Sequence, residues 1–201
     1  MRELPHRNYY EGIIQLREAN DKVVDFLFDQ LERVRSKGVF MTRMEKIKTG
    51  FDFYISDKRE MYTIVKKMQK EFGGEIKLAP QLYTMDHSSG KEVYRLNIFF
   101  KPSEYKKGDV VKKGKIVIQV TSSSKKISGI DLRTDRKILL DYETGLKKLG
   151  PVHKTFVTKV KPSLEVMDPE TFQSVSVMNS KNVKHGEKIK VVKDDNEIWV
   201  L

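Results

Sequence analysis

Three carboxylates raise the chemical possibility that stands out in this sequence: Asp52, Asp86 and Glu92, the last with Lys91 beside it. Acidic clusters hold magnesium, and magnesium with a neighbouring lysine supports the phosphoryl chemistry of a metal-dependent nuclease. Each residue also has a plainer reading. Asp86 opens the polar run Asp86-His87-Ser88-Ser89-Gly90, which suits a hairpin tip by turn preference alone. Lys91 and Glu92 suit the solvated edge of the strand that follows. Asp52 stands between two aromatic residues in GFDFYIS (50–56) and is left free for chemistry. The remaining catalytic types offer less. His6, His87, His153 and His185 have no metal-ligand spacing, and each lies in or beside a polar turn. Ser122, Ser123 and Ser124 have no base nearby in sequence, and GKIVIQVTSSSKKISG (114–129) lacks the Gly-Lys-Ser/Thr ending of a phosphate-binding loop. With no cysteine there is no disulfide, no thiolate nucleophile and no Cys-type zinc site. The expectation is a protein that is not an enzyme and that takes no cofactor, metal or small-molecule substrate.

Charge points instead to binding. Residues 101–160 carry 15 Lys and Arg against 6 Asp and Glu, so most of the chain's net charge of +11 sits in this segment. So local a concentration favours a polyanionic partner over general solubility. YKKGDVVKKGK (105–115) places Lys106-Lys107 and Lys112-Lys113 on either side of a Gly-Asp turn. SSSKKISG adds Lys125 and Lys126, LRTDRK adds Arg133, Arg136 and Lys137, and LKKLG adds Lys147 and Lys148. Lysines in loops keep a surface soluble, but pairs recurring in successive loops are what phosphate neutralisation uses. Such loops are expected to protrude together at one end or edge of a small barrel, giving affinity without sequence specificity and a steep salt dependence.

The elements that must position these residues follow from periodicity. The second half of PHRNYYEGIIQLR alternates as a strand. Asn20 or Asp21 then caps a helix running to about Ser36, with Val23, Val24, Leu27, Leu31 and Val34 as its apolar stripe and Gly38 as its stop. Strands follow near 39–46 and 50–56. In the second, Phe51, Phe53 and Ile55 face one side while Asp52 and Tyr54 face the other. Asp57 caps a second helix carrying Met61, Ile64, Val65, Met68 and Phe72, which Gly73-Gly74 ends. A strand pair at 75–83 and 92–100 completes a β-α-β-β-α-β-β order: two helices on a mostly antiparallel sheet, an α+β class. After Lys101-Pro102 the strands become short and turn-punctuated, as in small barrels or sandwiches. A second break falls at Leu149-Gly150-Pro151. The domains so drawn are 1–101, 102–149 and 150–201. Phe156, Phe172 and Trp199, the aromatics of the last part, are expected at core or strand-end positions.

YYEGIIQLR (9–17), GFDFYISDK (50–58), the run from IKLAPQLYTMDHSSGKEVYRLNIFF (76–100) into YKKGDVV (105–111), and EVMDPETFQSV (165–175) carry a resemblance over nearly the whole chain. It resembles the NMD-three family of large-ribosomal-subunit export adapters, most closely the shorter archaeal homologues. The resemblance implies an α/β domain, then an SH3-like barrel, then an OB-like barrel, the two barrels together similar to the hypusine-bearing translation factor. It implies a cytoplasmic, non-catalytic adapter on the large ribosomal subunit, among rRNA and ribosomal proteins near the tRNA exit site. Anti-association factor six lies near the family's N-terminal part. Family members usually begin with paired Cys-x-x-Cys zinc modules, so the resemblance is to a form lacking them. On this reading Lys106, Lys107, Lys112, Lys113, Lys125, Lys126, Arg133, Arg136, Lys137, Lys147 and Lys148 contact RNA. Asp52 and Tyr54 mark a protein-docking face of the first domain. A general RNA-binding barrel protein and the metal-dependent nuclease are the competing classes. No apolar run approaches the ~20 residues of a membrane span, and no membrane partner is expected.

Overall fold

The computed structural model describes residues 6–86, 90–142 and 145–201. The chain divides between Glu104 and Tyr105 into two compact units, with Ser124–Lys126 grouped with the first.

In the first unit the strands are β1 (Gly12–Arg17), β2 (Met41–Ile47), β3 (Gly50–Ile55), β4 (Glu75–Asp86) and β5 (Lys91–Lys101), with helices α1 (Asp21–Arg35) and α2 (Lys58–Phe72). The sheet runs β2-β3-β1-β5-β4. β1 and β5 are parallel and every other pair is antiparallel. Alternation dictates which face is buried. Ile14 and Leu16 of β1, Phe53 and Ile55 of β3, and Ile98 and Phe100 of β5 all point to the helices and are fully buried. They meet Val23, Leu27 and Leu31 of α1 and Met61, Ile64, Val65 and Met68 of α2. Full burial of each such side chain contributes roughly 1.5–3 kcal/mol, enough for this layer to set the register of the whole sheet.

The caps are those that the sequence indicates. The Asn20 side chain accepts from Val23 N, and the Asp57 carboxylate accepts from Arg59 N and Glu60 N, each satisfying an orphan amide of the first turn. Gly73 closes α2 at φ 67°, where a Cβ is unfavourable.

The second unit contains two antiparallel sheets. The first is built from β6 (Val110–Lys113), β7 (Ile116–Ser123), β8 (Ile127–Asp131), β9 (Lys137–Leu140) and β10 (Lys147–Lys148) in the order β10-β6-β7-β8-β9, so its last strand returns beside its first. The second comprises β11 (His153–Lys159), β12 (Glu165–Met167), β13 (Ser174–Ser176), β14 (Lys188–Asp194) and β15 (Glu197–Val200), ordered β13-β12-β11-β14-β15. An α+β unit of two helices on a mostly antiparallel sheet, followed by two small antiparallel β-barrels, is therefore the fold class.

Four local expectations are corrected. Lys112 and Lys113 lie on strand β6 and Lys147 and Lys148 on strand β10, not in loops. Ser122 and Ser123 belong to β7, which shortens the exposed loop to Ser124–Lys126. Of the three aromatics, Trp199 is core at 1% exposure, whereas Phe156 is 43% and Phe172 74% exposed. His87–Ser89, the expected hairpin tip, lies outside the described residues. No helix among the described residues is long and apolar enough to cross a membrane.

Candidate nucleic-acid interface

Strand register decides where the basic residues of β6–β10 can meet. β6 opens opposite Gln119 of β7 and closes opposite its first residue, Ile116. β8 ends where β9 begins, with Ile130 paired to Lys137. The β6–β7 and β8–β9 turns thus share one end of the sheet, and the segment leading into β6 lies at the other. The basic residues divide between the two ends instead of gathering at one.

At the first end the two-residue turn Gly114-Lys115 exposes Lys115, with Gly114 at φ 58°. The β8–β9 turn is organised by Asp131, 8% exposed, which accepts from Arg133 N and Thr134 Oγ1, both at 2.9 Å. That turn presents Arg133, Arg136 and Lys137 to solvent. The Arg133 guanidinium lies 5.4 Å from the Trp199 ring centroid. Asp135, the acid of this turn, pairs with Lys181 at 2.7 Å. At the opposite end Lys106 and Lys107 project from a tight turn whose Asp109 accepts from Lys106 N at 2.8 Å. Lys106, Lys107, Lys115, Arg136 and Lys137 are exposed and make no ion pair among the described residues.

Other predicted cations serve the unit's interior. Lys112 and Lys147 are cross-strand partners, an arrangement of like charges that destabilises a sheet unless an anion joins them. Asp194, its side chain 4% exposed, supplies it: Lys112 Nζ donates at 2.5 Å and Lys147 Nζ at 2.6 Å. Glu197 adds a 3.0 Å contact to Lys112. Hydrogen bonds from the two lysines hold the Asp194 carboxyl below the ordinary carboxylate range, and the same bonds raise both lysines. Lys148 pairs with Asp109 at 2.7 Å. Val110 and Val117 of the first sheet, with Leu132 and Leu149 just beyond its strands, pack with Val192 and Trp199 of the second. The ion pairs thus tie together the two sheets of this unit. Lys113 and Lys126 also have partners, and Lys125 with Lys126 groups with the first unit.

Among the described residues the nuclease constellation does not assemble. Asp52 accepts from Arg17 Nη1 at 2.6 Å, with both side chains about 15% exposed, so it is not free as its strand position suggests. Glu92 accepts from the Tyr94 hydroxyl at 2.6 Å, and the Asp86 side chain lies outside the described residues. Among the described residues no cluster of three or more His, Cys, Asp or Glu is placed to hold a metal. Asp52 and Tyr54 do share the sheet face opposite the helices. There Tyr54 donates to Glu45 at 2.7 Å, Arg43 also reaches Glu45, and the Tyr10 ring meets Tyr54 edge-on at 4.9 Å.

Two features escaped sequence reasoning. Arg95 lies between the rings of Tyr10 and Tyr83, at 3.8 and 3.5 Å from their centroids, beside a cleft of about 400 Å³. Tyr10 and Arg95 are 85 positions apart in sequence, and nothing local announces their contact. Phe156 faces solvent mid-strand; its signal was the alternation Lys154-Thr155-Phe156-Val157, in which it shares parity with a lysine.

Residues 9–101 match the family model described as NMD3, second domain. No curated protein matches. Among solved structures, the eukaryotic translation initiation factor 5A from Methanococcus jannaschii is similar at 13% identity, over 48% of this chain and 88% of that one, with a TM-score of 0.32.

Proposed function

We propose, from the match of residues 9–101 to the family model described as NMD3, second domain, that the chain is a non-catalytic adapter docking on the large ribosomal subunit through rRNA and ribosomal proteins. That match is the observation that carries the reading, and the unpaired cations of the second unit agree with it. In this reading 1–101 is a scaffold and protein-docking domain with Asp52 and Tyr54 on its docking face. Residues 102–149 form the SH3-like barrel and 150–201 the OB-like one. The chain works in the cytoplasm, near the tRNA exit site and in the neighbourhood of anti-association factor six.

Of the eleven proposed RNA contacts, Lys106, Lys107, Arg136 and Lys137, joined by Lys115, have the charge to give. Arg133, Lys113, Lys125 and Lys126 assist. Lys112, Lys147 and Lys148 reach RNA only by sharing their charge with Asp194 or Asp109. Each phosphate neutralised steepens the salt dependence by about 0.9 in the logarithmic slope. The Lys115→Gln/Arg136→Gln/Lys137→Gln variant is expected to weaken large-subunit binding and flatten that slope by about 2–3. An unchanged slope would remove this end of the barrel from the interface.

A further inference from the structure

We propose that the outward face of β11 and β14 is a separate site for single-stranded RNA, stacking an unpaired base on Phe156 and neutralising the flanking phosphates with Lys154, Lys188 and Lys190. The inference rests on the reading of the chain as an RNA-binding protein, and it adds a class of RNA and a place that the lysine pairs of β6–β10 do not supply.

Along β11, Thr155 and Val157 are buried, so Lys154 and Phe156 point outward. Along β14, Ile189 and Val191 are buried and Lys188 and Lys190 are exposed. Register places Phe156 opposite Lys188 and Lys154 opposite Lys190. The four outward positions are therefore one aromatic residue and three lysines on two paired strands. Residues two apart on a strand are separated by about 7 Å and strands by about 5 Å, so the three ammonium groups can surround the ring. Lys188 Nζ already lies 5.5 Å from the ring centroid.

A lone exposed phenylalanine needs no explanation. This one is 43% exposed at the middle of β11, beside lysines that make no ion pair among the described residues. The nearest acid in sequence, Glu187, accepts from the Lys184 amide at 2.8 Å and makes no ion pair with these lysines among the described residues. An anionic partner with flat apolar surfaces meets both requirements, and a nucleic acid strand offers phosphates and base faces together. The bases must be unpaired, since a duplex keeps their faces within its own stack.

The test is fluorescence anisotropy of a labelled eight-nucleotide oligouridylate with the full chain, its Phe156→Leu variant and its Lys188→Gln/Lys190→Gln variant, each over a salt series. Leucine keeps the position apolar but removes the stacking surface. It is expected to weaken binding about tenfold with the salt slope intact, whereas the lysine variant is expected to lower the slope by 1–2. Equal affinity of parent and Phe156→Leu would overturn the site and leave the face to an acidic protein surface. If Phe156→Leu melts early, the lysine variant decides, and an unchanged slope there overturns the proposal. A chain that binds large subunits but not oligouridylate would overturn this inference alone. One that binds oligouridylate through Phe156 but not the subunits would uphold it and overturn the ribosomal reading.

Discussion

Asp52 looks like a metal ligand in sequence, but in the structure it is the acceptor for Arg17 on the same sheet face. Replacing it with asparagine should lower stability by about 1 kcal/mol, read as an earlier thermal midpoint, and should leave RNA binding as it was. A gain or loss of magnesium-dependent RNA cleavage on this substitution would reopen the nuclease reading. Asp194 is the more consequential carboxylate. Its folded-state proton affinity is depressed, so near pH 4 the unfolded chain binds more protons, and acid drives unfolding of the two-barrel unit. Its contribution is present above the ordinary carboxylate range and lost as pH falls through the depressed value. The raised lysines give the opposite limb: their contribution is present below about pH 10.5 and lost as pH rises beyond it. Asp194→Asn should cost about 2 kcal/mol at neutral pH and weaken the acid limb, to which the likewise depressed Glu165 and Asp168 also contribute, as thermal melts between pH 3 and 7 would show. Melts that keep the same acid dependence would assign it to other carboxylates. The caps at Asn20 and Asp57 were legible because capping is local. The partners of Asp52 and Asp194 were not, because each lies more than 30 residues away.

Strands were legible in proportion to how well alternation separated apolar from polar. β1, β3 and β5, with isoleucine, leucine and phenylalanine at every second position, stood out. β6 and β10 did not, since Val110-Val111-Lys112-Lys113 has no period of two and a two-residue strand has no pattern. Their pairing depends on Asp194 bridging two lysines, a tertiary contact no window of sequence contains. The β2–β3 turn shows the reverse case, a constraint visible as a single glycine. Gly50 has φ 152°, and a Cβ there would lie 2.0 Å from the Leu16 carbonyl oxygen across β1. Gly50→Ala must therefore push β1 and β3 apart where their register is set. A loss of at least about 2 kcal/mol is expected, measurable by urea unfolding. A cost no larger than that of an exposed surface substitution would show that the strands can shift without disturbing the core layer above them.

At the scale of the whole molecule, composition shows that the charge is concentrated but not how it is arranged in space. The excess charge of residues 101–160 was plain, but its distribution over two ends of one sheet and an internal ion-pair network needed three-dimensional register. The proposed interface has fewer free cations among the described residues than the lysine pairs suggest, and its salt slope should be correspondingly modest. Co-sedimentation with purified large subunits, small subunits and free rRNA across a salt series tests the adapter reading most directly. Binding selective for large subunits, persisting at ~150 mM salt where contacts to phosphate alone weaken sharply, is the predicted result. Equal binding to all three that disappears with salt would contradict it and reduce the chain to a nonspecific basic module.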